Sequence, residues 1–318
     1  MRRVRGEHTT PVPVSAARRS LAAIGATLLA MLLAGTASGA PPAQRTVRDD
    51  SGESVTVSTR ECRIVSLAPG TTAMLYAAGA GACLVGTIAH STEPAEAASV
   101  PVIGDAETLD FERLLALRPT VVVVAVDVVQ RVRIDRMRSL GIPVYQVHVT
   151  RLAQMPESVR RLGELAGTER VAAERAKSLR AELDELAARY RRRTPVRVLY
   201  QIWDRPIYTI GGRHVIADAL TLCGAVNVFG ELDTAAPAVT REAAVLRDPQ
   251  LILASAPPAS AQEWLTEWRK FPSLTAVRNG QLASFSDERI DRMGPSVIAA
   301  TAGLCEVVDR ARAVLPRM

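Results

Sequence analysis

Cys62-Arg63-Ile64-Val65-Ser66-Leu67, followed by Ala68-Pro69-Gly70 and Thr71, reads as a strand, a tight turn and the start of a helix. Thr71 is the expected cap, and the helix should end near Gly79 and Gly81, where Cys83-Leu84-Val85-Gly86-Thr87 opens the next strand. Downstream the pattern continues with a helix over Phe111–Leu117, the apolar strand Val121–Val124, a helix over Arg131–Leu140 and the strand Val144-Tyr145-Gln146-Val147. Apolar strands that alternate with helices indicate a parallel sheet covered on both faces, so the fold class is α/β.

Between Thr168 and Pro195 the period changes. Ala172, Ala176, Leu179, Leu183, Leu186 and Tyr190 recur three or four residues apart, which draws one apolar stripe along a charged helix. A short coiled coil would show the same stripe. Because strands resume at Val196–Gln201, a connecting helix fits better, and the tripeptide Arg191-Arg192-Arg193 is its solvated end. The expected layout is an N-terminal segment 41–61, an α/β lobe 62–167, a connecting helix 168–195 and a second α/β lobe 196–318, with a central parallel-type sheet in each lobe.

The halves resemble one another. Leu109–Val122 aligns with Val239–Ile252 without a gap, Glu112 falling on Glu242 and Pro119 on Pro249 at a constant offset of 130. Two amphipathic helices can match by chance, but duplicated lobes explain the whole block. Glu112 and Glu242 would each sit near a helix start, where the dipole favours negative charge.

The first forty residues form a separate region: a basic stretch ending at Arg18-Arg19, an apolar run Leu21–Ala34, then Gly35-Thr36-Ala37-Ser38-Gly39-Ala40. The run is too short to span a bilayer, so residues 1–40 read as a cleaved secretory signal. With them go five Arg and one Glu, which takes the formal charge from +6 to +2. A nucleic-acid partner thereby loses its main support. Four cysteines in an exported chain imply disulfides. If the strands begun by Cys62 and Cys83 are neighbours, their starts lie about 5 Å apart, within bonding reach.

Taken together, Arg63–Pro69, Leu114–Val124, Tyr208–Gly212, Leu222–Phe229 and Gly294-Pro295 leading to Leu304-Cys305 resemble the cobalamin-type class III periplasmic binding proteins, a group that includes haem and ferric-siderophore binders. The resemblance covers about residues 60–312. It implies two lobes on one stiff helix with a ligand held between them, and a periplasmic carrier, monomeric, that delivers a cobalamin-like or other metal-chelate ligand to an ABC permease dimer with its ATPase. It also implies that Cys223 and Cys305 are joined, and that Glu112 and Glu242 pair with permease arginines. A ferric-siderophore or haem carrier is the alternative within transport, and an exported enzyme is the alternative outside it.

Departures from the family pattern concern the ligand. Ala106, Ala125 and Ala236 stand where tryptophan is common, His90 stands near a usual tyrosine, Tyr208 is retained, and Trp203 ends the first strand of the second lobe. His90, Trp203, Tyr208, Arg289 and Arg292 are therefore the expected ligand-binding residues, the arginines suiting carboxylates or amides on the ligand. Val102-Ile103-Gly104-Asp105 lacks the tyrosine typical of haem binders. His90, His148 and Asp287 are of types that suit zinc or manganese, but their spacing is not that of a metal site, and no resident metal or cofactor is expected. Nucleophile elbow, Walker loop, His-Glu-x-x-His and dinucleotide fingerprint are all missing from the sequence, which argues for binding over catalysis.

Overall fold

Gln44–Arg48 (β1) and Ser54–Ser58 (β2) alternate polar and apolar residues and pair as an antiparallel hairpin that buries Val47, Val55 and Val57. The computed structural model describes residues 43–126 and 128–315; Arg18, Arg19, the apolar run and the small-residue stretch of the expected signal lie outside them. Asp49, in the hairpin turn, is 1% exposed and accepts hydrogen bonds from the backbone N–H groups of Ser51, Glu53 and Gln146. A buried carboxylate needs such donors, and here they tie the hairpin to the first lobe.

That lobe contains a four-stranded, wholly parallel sheet of Ile64–Ser66 (β3), Leu84–Gly86 (β4), Val121–Ala125 (β5) and Val144–Val147 (β6), in the order β4-β3-β5-β6. Both faces are covered, which is why Val121 to Val124 are all apolar. Val121 and Val123 pack with Met74 and Leu75 of Pro69–Ala77 (α1) on one side. On the other, Val122 and Val124 meet Leu114 of Phe111–Ala116 (α2) and Met137 of Arg131–Ser139 (α3). The start of α1 differs from expectation. Pro69 occupies the first turn after Ala68, and Thr71 lies inside the helix, buried, donating to the Ala68 carbonyl at 2.9 Å. Proline's fixed φ, rather than a hydroxyl cap, begins the helix.

Met155–Ala166 (α4) packs against Glu169–Tyr190 (α5), the long helix expected from the stripe. Ala172, Ala176, Leu179, Leu183 and Tyr190 are buried, and Leu186 packs against the same core. This core includes residues of both sheets, so the lobes share one apolar interior along α5.

The second sheet runs β10-β8-β7-β11-β12, with Val196–Trp203 (β7), Ile207–Thr209 (β8), Ala225–Asn227 (β9), Ala238–Val239 (β10), Leu251–Ala254 (β11) and Leu282–Ser284 (β12). β9, β11 and β12 keep the parallel pattern, whereas β8 and β10 add an antiparallel edge. Around it stand Val215–Leu222 (α6), Arg241–Leu246 (α7), Pro258–Trp268 (α8), Thr275–Arg278 (α9), Glu288–Asp291 (α10) and Val297–Val314 (α11).

The internal match is structural as well. Asp110 caps α2 by accepting from the Arg113 amide, and Thr240 caps α7 by accepting from the Ala243 amide. Each helix leads through a left-handed residue, Arg118 or Asp248, to a proline and then to a central strand, β5 or β11. Disulfides join Cys62 to Cys83 (Cα–Cα 5.0 Å), across the starts of neighbouring β3 and β4, and Cys223 to Cys305 (Cα–Cα 4.7 Å), from the end of α6 to α11.

Candidate ligand-binding cleft

Parallel strands leave their C-terminal ends free to carry loops, and such ends are common ligand sites. A cleft of about 430 Å³ lies at these ends in the first lobe. Ala68 to Thr71 follow β3, Ala125 ends β5 with Val128 just beyond it, and Val147 ends β6 with Val149 just beyond it. The opposite wall is Glu288, Asp291, Arg292 and Met293 of the second lobe. Met74 and His90 complete the lining. The first-lobe wall is mostly apolar, and the second-lobe wall carries the charge.

Buried hydroxyls fix the first-lobe wall. Ser66 and Thr71 share a hydrogen bond of 2.7 Å, Thr72 donates to Ser66 at 2.9 Å, and Thr72 and Thr87 share another of 2.9 Å. The network satisfies groups that burial would otherwise penalise, and it sets the position of the β3–α1 turn. At the base of the cleft the lobes meet without side chains between them. A Cβ on Gly70 would fall on the carbonyl oxygens of Arg292 and Met293, the latter 2.9 Å away, and one on Gly294 would lie 3.0 Å from the Ala73 Cβ. Beside this seam the Ser296 hydroxyl donates to Glu93 of the first lobe at 2.9 Å.

The charged wall is organised by α10. Asp287 caps it, and Arg289 donates to both Asp287 oxygens at 2.9 and 2.6 Å, which holds the Asp287 carboxyl below the usual carboxylate range. Arg292 pairs with Glu288 at 2.7 Å and lies 3.9 Å from Glu93. Asp291 behaves oppositely. It stays open to solvent through the cleft, but the protein around the carboxyl withholds water from it, and Asp287 repels it, so its pKa is pushed up to about 6. Hydrogen bonding with Ser255 pulls the other way; Ser255 in turn shares a 2.9 Å bond with the buried Tyr200 hydroxyl.

Of the residues expected at the ligand, His90 and Arg292 line this cleft. Arg289 is on the same short helix with its guanidinium held by Asp287. Trp203 and Tyr208 are not part of the lining. They face each other across β7 and β8, and Trp203, 58% exposed, stands edge-on to Trp264 at 6.2 Å. His148 donates its backbone N–H to Asp50 at 2.9 Å, and among the described residues no group of three His, Cys, Asp or Glu could hold a metal ion. Sequence reasoning missed Asp291, Met74 and Met293. Nothing local marks them, since their role depends on a contact between segments some two hundred residues apart.

This arrangement defines a class: two α/β lobes on a single long helix, with a cleft between them. The chain belongs to the periplasmic binding protein family, whose model matches residues 64–288. It is similar to the vitamin B12-binding protein of Vibrio cholerae serotype O1, 27% identical over 243 residues that cover 76% of this chain and 87% of the relative. The corresponding protein of Vibrio parahaemolyticus is also 27% identical, over 77% of this chain and 88% of its own. Among solved structures, the periplasmic vitamin B12 binding protein BtuF of Vibrio cholerae matches with a TM-score of 0.72 at 26% identity, covering 79% of this chain and 98% of its own. The periplasmic heme-binding protein RhuT from Roseiflexus sp. RS-1, 20% identical with a TM-score of 0.67 over 79% of this chain and 99% of its own, shares the fold.

Proposed function

We propose that this chain is a periplasmic, non-enzymatic carrier that delivers a cobalamin-like or other metal-chelate ligand to an inner-membrane ABC permease. The observation that carries the reading is the interlobe cleft, apolar along the first lobe and polar along the second, at the free ends of three parallel strands. Such a site suits a bulky ligand with an apolar body and polar edges. The vitamin B12-binding relatives support the ligand class. Binding rather than turnover is supported by Thr71, the hydroxyl of the lining, which is engaged by Ser66 and Ala68 rather than by a base. Lobes 62–167 and 196–318 would close on the ligand around the connecting helix. His90 and Arg292 would contact it directly, and Trp203, Tyr208 and Arg289 would reach those parts that project beyond the deep cleft.

A tryptophan-fluorescence titration against cyanocobalamin, haemin and several ferric siderophores tests this. One of these chelates should quench saturably with one site per chain, and Trp203→Ala and Tyr208→Ala should weaken that binding. Failure of every chelate to bind would remove the ligand assignment; unchanged affinity in both variants would remove Trp203 and Tyr208 from the site.

A further inference from the structure

A second cavity, of about 440 Å³, lies along the connecting helix and shares no lining residue with the interlobe cleft. Both lobes contribute to it. Leu152 and Pro156 come from around the start of α4, Leu183 from α5 and Leu222 from the end of α6, and all four are buried. Together they make an apolar floor. Leu183 belongs to the stripe that seats α5 on the core, so the edge of that stripe reaches the crevice.

The rim is charged. Arg180, Asp184, Ala187 and Arg191 recur three or four residues apart and so run along one side of α5, beside the stripe, while Arg151 comes from the first lobe. All three arginines are exposed, and none forms an ion pair among the described residues. On the same two helices Arg160 and Arg175 are neutralised, the first by Glu157 and Glu164 and the second by Glu182. Asp184 follows Arg180 by one turn, but a cation placed N-terminal to its acid is the weaker orientation for such a pair, and no ion pair forms. Asp218, the other acid of the lining, accepts from the Leu152 amide at 2.8 Å. Three arginines against two carboxylates leave the crevice net positive.

Like charges around a concave surface focus the field and draw in counter-ions. Guanidinium groups match the paired oxygens of carboxylate and phosphate in a fork geometry. The apolar floor adds a contribution that a bare inorganic anion cannot use. We infer that this crevice is a second binding site, for an amphipathic organic anion: a carboxylate or phosphate ester whose head pairs with the unpartnered arginines and whose apolar tail lies on Leu152, Leu183 and Leu222. The site is separate from the interlobe cleft, and the inference holds whatever ligand that cleft carries. An occupant would touch both lobes and α5 at once, so its binding stabilises the folded protein.

Isothermal titration calorimetry of the purified protein with decanoate and with decyl phosphate, each below its micelle concentration, tests this. At least one of the two should bind saturably at one site per chain and raise the thermal midpoint, and the tighter of them gives the head group. Decanol, with the same tail and no charge, should bind about tenfold or more weakly, and raised salt should weaken the anion. Arg180→Gln combined with Arg191→Gln should lose about tenfold or more in affinity for the anion, since two charge-assisted contacts go. Asp184→Asn, which removes a repelling charge, should instead bind it more tightly. Thr221 is exposed at the edge of the crevice, and Thr221→Trp should block binding by filling the space, which keeps the test intact should the double variant fold poorly. Decanol binding as tight as that of the anions would take the arginines out of the site. Unchanged anion affinity in both the double variant and Thr221→Trp would place the anion elsewhere on the molecule, and failure of both anions to bind would overturn the site outright.

Discussion

Asp291 and Gly70 show how single residues set the properties of the cleft. Gly70 is required because the carbonyls of Arg292 and Met293 occupy the space of a side chain, so the lobes can approach only where the first has none. Asp291 carries a cost that depends on pH. Its carboxyl has a pKa of about 6 in the folded protein, above its ordinary value, because desolvation and Asp287 disfavour the charge. The folded state therefore binds this proton more tightly than the unfolded chain. Below about pH 4 both states are protonated and nothing is lost. As pH rises toward 6 the unfolded chain has already ionised while the folded one resists, so stability falls, and above 6 the full penalty remains. Asp291→Asn should raise the thermal midpoint relative to wild type at pH 7 and leave it little changed at pH 4. Glu157 acts in the opposite sense, its pKa lowered to about 2 by hydrogen bonds from Arg160 and Arg161, but it is common to both proteins and cancels in the comparison. Equal differences at the two pH values would mean that Asp291 titrates normally.

At the scale of elements, the two disulfides hold different kinds of join. Cys62–Cys83 ties neighbouring strand starts across 21 residues, and Cys62 is exposed; Cys223–Cys305 closes 82 residues, and both of its cysteines are fully buried. Loop-closure entropy assigns about 3 kcal/mol to the first and about 4.5 kcal/mol to the second. Access decides which is reduced first, since exchange requires a thiolate to reach sulfur. Mild reductant on the folded protein should open Cys62–Cys83 alone, with Cys223–Cys305 surviving until unfolding, as alkylation and peptide mass mapping would show; early loss of the buried pair would contradict this order. Both pairings were legible in the sequence, the first from strand order and the second from resemblance. So were the strands around Ile64, Val121 and Val144 and the stripe of α5, because each is a local pattern imposed by burial. The β1–β2 hairpin, α4 and the antiparallel edge of the second sheet were not singled out, and the start of α1 was misread because a hydroxyl near a turn resembles a cap. His90 was singled out through the family resemblance and Arg292 through its charge, and both line the cleft; Asp291 and Met293 were not singled out, because only tertiary contact brings them to the first lobe.

For the molecule as a whole, the continuous core along α5 and the bonds from Ser296 to Glu93 and from the Leu152 amide to Asp218 at 2.8 Å hold the lobes together at several points. Packed interfaces move in small steps, so ligand binding should change the outline only slightly. On the carrier role proposed above, a permease would have to recognise surfaces that are present throughout. Glu112 and Glu242 suit this role: each is exposed in the first turn of its helix, two residues beyond an equivalent cap, one on each lobe. Glu242 is held ionised by its own amide, by Thr240 and by the neighbouring Arg241, which lower its pKa. Helix-dipole stabilisation alone would also favour acids there. The two roles separate experimentally, because a capping acid acts on folding whereas a docking acid acts on the partner. Exposed pairs of this kind guide encounter more than they strengthen the complex, and salt weakens them. In proteoliposomes containing the importer, the double variant Glu112→Ala, Glu242→Ala should keep its ligand affinity and nearly its thermal midpoint while losing ligand-dependent stimulation of ATP hydrolysis. Each single variant should lose part of the stimulation, and raised salt should reduce the wild-type response toward that of the variants. Full stimulation by the double variant would leave these glutamates as helix-capping charges and place the permease contact elsewhere on the lobes.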